Sequence, residues 1–113
     1  MTINSKIKGK VGELEFAEFA RNHGFPAARR DGQQGNGGSV EAPDVSGIPG
    51  LHMEVKRRES GNLYDWMDQA IRDATGSHCT PAVSHRRNHK DWLIILRAED
   101  FLEIYKRSLK HDG

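Results

Sequence analysis

Cysteine is nearly absent from this chain. Cys79 stands alone among 113 residues, so no internal disulfide can form, and the composition suits a reducing compartment. A lone cysteine also argues against structural zinc. His78, His85 and His89 lie near it in sequence, but the paired N/S spacing of such sites is missing. An excess of one charge is lacking too. The 17 Lys and Arg stand against 16 Asp and Glu, a net charge of +1, so global charge predicts no nucleic-acid binding. Long apolar runs are absent. The longest, from Trp92 to Leu96, is far short of the roughly 20 residues that span a bilayer. The N-terminus shows no apolar stretch of secretory type, so the expectation is a protein that stays inside the cell and off the membrane. Gly35, Gly37 and Gly38 make no phosphate loop, because no helix opening on Lys-Ser/Thr follows them.

What remains is enough for one compact domain and too little for two. Hydrophobic residues make up 35% of the chain and mean hydropathy is −0.74. Apolar side chains come in blocks, which argues for a folded core. Basic residues also cluster, at Arg29-Arg30, Lys56-Arg57-Arg58, Arg86-Arg87 with Lys90, and Lys106-Arg107. Such clusters fit a basic rim around a phosphate-bearing ligand; they fit an ordinary solvated surface as well.

Periodicity predicts a helix from Lys6 to His23, with Val11, Leu14, Phe16, Ala17, Phe19 and Ala20 as its apolar residues and Gly24 as its stop. A short strand is expected over Phe25 to Arg30, then a flexible Gly-rich loop across 31–43. Asp44 to Gly47 and Leu51 to Arg57 read as strands joined by a turn at Ile48-Pro49-Gly50. A second helix spans Asn62 to Thr75, with Leu63, Trp66, Met67, Ala70, Ile71 and Ala74 on its buried stripe. Strands follow at Pro81 to Ser84 and Trp92 to Leu96, the latter apolar enough to be covered on both faces. The basic stretch 85–90 separates them and reads as a phosphate-contacting loop or a plain exposed one. A last helix, Glu99 to Leu109, would turn Phe101, Leu102, Tyr105 and Leu109 inward. The expected fold is a single α/β domain, a central mixed sheet flanked by helices in the order αβββαββα.

The hairpin from Asp44 to Lys56 carries the chemistry. Side chains alternate across a strand, so Val45, Leu51, Met53 and Val55 take one face, toward the core. Asp44, Ser46, His52, Glu54 and Lys56 take the other. With the turn centred on Pro49, residues whose numbers sum to 98 lie opposite each other, which sets Asp44 against Glu54. Opposed carboxylates repel. A bound cation would offset that, and oxygen-only ligands favour Mg²⁺ or Mn²⁺; Lys56 and nearby arginines on a solvated face could offset it too. His52 falls opposite Ser46, away from the carboxylate end, and reads as structural or DNA-contacting. In the first helix Glu13 falls inside the apolar arc between Ala17 and Ala20 at about 100° per residue, where a carboxylate needs a cap, a salt bridge or a metal.

Lys8-Gly-Lys-Val-Gly-Glu13, Arg30, Pro43-Asp44, Glu54-Val-Lys56 and a following helix with Gln69 together resemble the PD-(D/E)XK nuclease superfamily. Within it the chain looks most like the Holliday junction resolvases of archaeal and phage type. The resemblance covers about residues 6 to 105 and implies catalytic Glu13, Asp44, Glu54 and Lys56. It implies Mg²⁺, with Mn²⁺ as substitute, held by Asp44, Glu54, the Val55 carbonyl and Glu13, and a 5′-phosphate and 3′-hydroxyl product. Gln69 would be supporting, as in the related VRR-NUC group, or a polar helix flank. The Gly- and Gln-rich loop is longer than the Ser-Gly segment usual in those resolvases. DNA contacts are expected from Arg29, Arg30, Arg57, Arg58, Arg86, Arg87 and Lys90. Junction resolution takes two cuts, so a homodimer is expected, with Phe16, Phe19 and Tyr105 as candidate interface residues. A nicking or flap nuclease, a non-catalytic DNA-binding module, or a subunit of a recombination complex are the alternatives.

Overall fold

The computed structural model describes residues 5–31 and 42–110. The elements appear in the expected order: α1(Ser5–Arg21), β1(Arg29–Arg30), β2(Val45–Ser46), β3(Leu51–Arg57), α2(Leu63–Ala74), β4(Thr80–Arg86), β5(Leu93–Ile95) and α3(Ala98–Lys110). They build a five-stranded mixed sheet in the order β1-β2-β3-β4-β5, with β3 and β4 parallel and the other pairs antiparallel. The expected loop at 31–43 falls almost wholly outside the described residues.

One stripe of α1 covers one face of the sheet. Phe16, Ala17 and Ala20 recur at helical spacing and pack with Val45, Met53, Val55 and Ala82. Gly12 lies on the same side, and a Cβ there would come within 2.6 Å of the Arg57 Cβ, so only glycine lets α1 sit this close to β3. The other face is covered by α2, whose Trp66, Met67 and Ala70 pack with Val83. Asn62 caps α2 by accepting from the backbone N–H groups of Tyr64 and Asp65.

Several sequence expectations need correction. The face carrying His52, Glu54 and Lys56 is no open surface; His52 and Glu54 are only 2% and 3% exposed. The first strand is shorter than expected because Phe25 to Ala28 forms a turn, closed by the Ala28 N–H on the Phe25 carbonyl. The apolar run near 94 is an edge strand paired only with β4, and Leu93 and Ile94 are exposed. α3 buries none of its residues, so Phe101, Leu102, Tyr105 and Leu109 do not face this chain's core. Val11, Leu14 and Leu63 also lie outside the buried stripes. His85 and Arg86 belong to β4, so the basic loop begins one strand-end later than expected.

Candidate active site

Val45 pairs with Met53, numbers that sum to 98, so Asp44 at the start of β2 stands level with Glu54 of β3. The Asp44 backbone N–H donates to the Met53 carbonyl at 2.9 Å, and the Val55 N–H donates to Asp44 Oδ2 at 2.9 Å. The hairpin thereby fixes the carboxylate from both ends. Two residues past Glu54, on the same face, Lys56 Nζ donates to Gln69 Oε1 of α2 at 3.0 Å. Glu13 reaches the site from α1, at the end of the stripe that buries Phe16, Ala17 and Ala20, with its side chain 12% exposed. Arg30 of β1 lies beside it, Nε to Oε2 at 3.7 Å. Glu13, Asp44, Val55, Lys56 and Gln69 line one cleft of about 550 Å³, with Arg57 and Arg58 at its rim.

The carboxylates in this cleft are strained electrostatically. Burial pushes the Glu54 carboxyl up to about 9, with the Asp44 charge, a hydrogen bond to Asp44 and the field of Asp73 adding to it and Lys56 opposing. Glu13 is raised as well, first by burial and then by Asp44, against the pull of Arg30. Glu54 Oε1 is buried with no hydrogen-bond partner, and the nearest histidine nitrogen, His52 Nδ1, stands 3.6 Å away. A buried carboxyl oxygen left this way is costly. A hard divalent cation answers both the missing partner and the mutual repulsion, and the donors facing the cleft are oxygens. The residues therefore fit such an ion, with Asp44, Glu54 and Glu13 as the side chains able to hold it. As the side chains now stand, no group of three His, Cys, Asp or Glu among the described residues is gathered tightly enough to do so; Glu13 is engaged with Arg30.

The seven basic residues singled out in the sequence fall into two groups. Arg30, Arg57 and Arg86 are engaged with acids. Arg57 meets Glu15 at 3.4 Å and Glu59 at 3.7 Å and donates to Asn88 Oδ1 at 3.0 Å, while Arg86 forms a close ion pair with the same Glu15. Arg29, Arg58, Arg87 and Lys90 are exposed. Glu15, Glu59, Asn88 and Asp73 were not picked out from the sequence. Local patterning says nothing of the partners of Glu15, which lie 42 and 71 positions away. Phe16 cannot serve an interface, because it is buried against Trp92 in the core.

Residues 4–111 match the model of a family described as Phage putative PDDEXK endonuclease. No curated protein and no solved structure matches the chain.

Proposed function

The chain belongs to the Phage putative PDDEXK endonuclease family, and on that premise we propose that it is a Mg²⁺-dependent DNA endonuclease that resolves four-way junctions by paired nicks. The observation that carries the reading is the convergence of Glu13, Asp44 and Lys56 on one cleft, with Glu54 buried beside Asp44 and one of its oxygens left without a partner. When bound, Mg²⁺, or Mn²⁺ in its place, would lower the pKa of the attacking water and neutralise charge on the phosphate. The chain's own groups do the rest. Asp44 is held by the Val55 N–H and lines the cleft. Val55, which lines the cleft, offers its carbonyl as a further ligand. Lys56, steadied by Gln69, presents an ammonium group that stabilises the phosphate and orients the attacking water. Arg58 and the other exposed basic residues hold the DNA backbone.

One domain offers one such cleft, and opposed cuts in a junction need two, so two copies act together. The Lys56–Gln69 hydrogen bond also favours a second reading within the class: a nicking or flap nuclease of the VRR-NUC kind, where a glutamine on this helix is functional.

An end-labelled four-way junction and its linear duplex, incubated with Mg²⁺ and either wild-type protein or Asp44→Asn, separate these readings. Paired symmetric nicks in the junction alone, lost in the variant, are expected. Equal cutting of both substrates would retain the nuclease and discard the junction. Binding without cutting in Mg²⁺ or Mn²⁺ would reduce the chain to a DNA-binding module.

A further inference from the structure

α3 is a 13-residue amphipathic helix that buries none of its side chains against the rest of the chain. Phe101, Leu102, Tyr105 and Leu109 are each 50–61% exposed, and the Phe101 and Tyr105 rings stack at 6.0 Å. An isolated helix of fewer than about 12–15 residues is marginal in water, and such helices gain most of their stability by packing an apolar face. The patch does not end with α3. Phe101 shares a hollow with Ile94, Leu96 and Ala98, which joins it to Ile94 on the exposed edge strand β5. Aromatic side chains carry ~150–250 Å² each, so these five half-exposed groups present on the order of 500 Å², more than half of the roughly 800 Å² that one partner gives to a specific interface. A contiguous patch of this size is at the upper end of what monomers expose, where such patches are often functional.

We propose that this surface is covered by the same surface of a second copy of the chain, with the two α3 helices packed antiparallel about a two-fold axis near Tyr105. At about 100° per residue, Phe101, Tyr105, Leu109 and Leu102 fall within one quadrant and a little more, with Tyr105 near its middle. A two-fold at Tyr105 sets Phe101 of each copy level with Leu109 of the other. The helix ends favour this orientation. Glu99 and Asp100 lie in the first turn and Lys110 in the last, so in the antiparallel pair the acidic end of each helix lies level with the basic end of the other and the two macrodipoles oppose. A parallel pair would bring like ends to one level. The arrangement is isologous and closes on itself, and it also shields the β5 edge that would otherwise recruit other strands. It supplies the contact for the two-copy reading above and rests on that reading only for what the pair accomplishes.

Sedimentation equilibrium on the full chain, free of metal and DNA, tests the surface apart from the chemistry. Wild type is expected to weigh twice 12.7 kDa at tens of micromolar. Phe101→Asp with Leu109→Asp is expected to weaken association at least a hundredfold, with far-UV circular dichroism unchanged because α3 buries no residue in the core. In a Cys79→Ser background, mild oxidation is expected to cross-link Tyr105→Cys into a covalent dimer and to leave Glu103→Cys, on the opposite side of the helix, monomeric. A wild-type monomer at every concentration overturns the inference. So does a dimer that survives the double Asp variant, or one that cross-links as well at 103 as at 105. A dimer of this kind that never cuts DNA keeps the surface and removes the nuclease; a monomer that nicks does the reverse.

Discussion

Asp44 and Glu54 meet because β2 and β3 share a register, and Lys56 follows because side chains alternate along β3. This much was legible in the sequence: a turn at Pro49 and a period of two suffice to set the three groups on one face. The burial of that face was not, since nothing in residues 51–57 says that α2 will cover it. Burial is what gives Glu54 its character. In the folded, metal-free chain its carboxyl keeps its proton up to about 9, against an ordinary 4.5. The folded state thus binds more protons than the unfolded state between these values, and Glu13 shifts in the same direction. Stability of the metal-free protein is therefore expected to fall as pH rises from 4.5 toward 9. Urea titrations at pH 5 and pH 8 test the sign, and Glu54→Gln is expected to flatten the difference. Mg²⁺ added at pH 8 is expected to raise the midpoint and release protons, as ion and proton compete for the same oxygens. Gln69→Ala leaves Glu13, Asp44, Glu54 and Lys56 in place but frees Lys56 from its partner. A loss of about 10–100-fold in single-turnover cleavage, the scale for removing a group that orients a catalytic one, is expected with little change in DNA affinity. A change in affinity alone would make Gln69 a DNA contact.

Elements were read well where local patterning and tertiary packing agree. β3 begins and ends where the alternation predicts, and α2 runs between its Asn62 cap and Thr75. α1 shows why Gly12 precedes Glu13: the glycine lets the helix approach β3, and the approach carries the glutamate to the cleft. Gly12→Val places two further methyl groups against the Arg57 side chain. It is expected to cost about 1–3 kcal/mol, the usual penalty for overpacking, and to lower cleavage through Glu13, as measured by urea unfolding alongside activity. An unchanged stability would mean that α1 can slide away from β3 at no cost. α3 and β5 were misread for one reason. An apolar stripe announces that a face will be covered, and periodicity carries no information on whether the cover is the same chain or another. The turn at Phe25 to Ala28 was misread because apolar residues in a short run look alike in strands and in turns.

The chain as a whole is almost neutral, at +1, yet a nearly neutral protein can still present unpaired cations to a phosphate backbone. Several of its acids are engaged in ion pairs within the chain. Glu15 and Glu59 hold Arg57, Glu15 also holds Arg86, and Glu13 holds Arg30. These ion pairs join α1, β1, β3 and β4 and leave Arg29, Arg58, Arg87 and Lys90 exposed, with Lys56 in the cleft. The pairing sets the electrostatics of binding. Each phosphate neutralised contributes about −0.9 to the slope of log affinity against log salt, so five free cations give roughly −4.5 per protomer and all eight would give roughly −7. Fluorescence anisotropy of a labelled duplex with the Asp44→Asn protein, across a range of KCl concentrations, measures the slope directly. A value near the smaller figure means that the Glu13, Glu15 and Glu59 pairs persist on DNA and act as scaffold. A value near the larger one means that phosphates displace these carboxylates. In that case Glu13 is released from Arg30 as DNA arrives and becomes free to join Asp44 and Glu54, so that substrate binding itself would assemble the site.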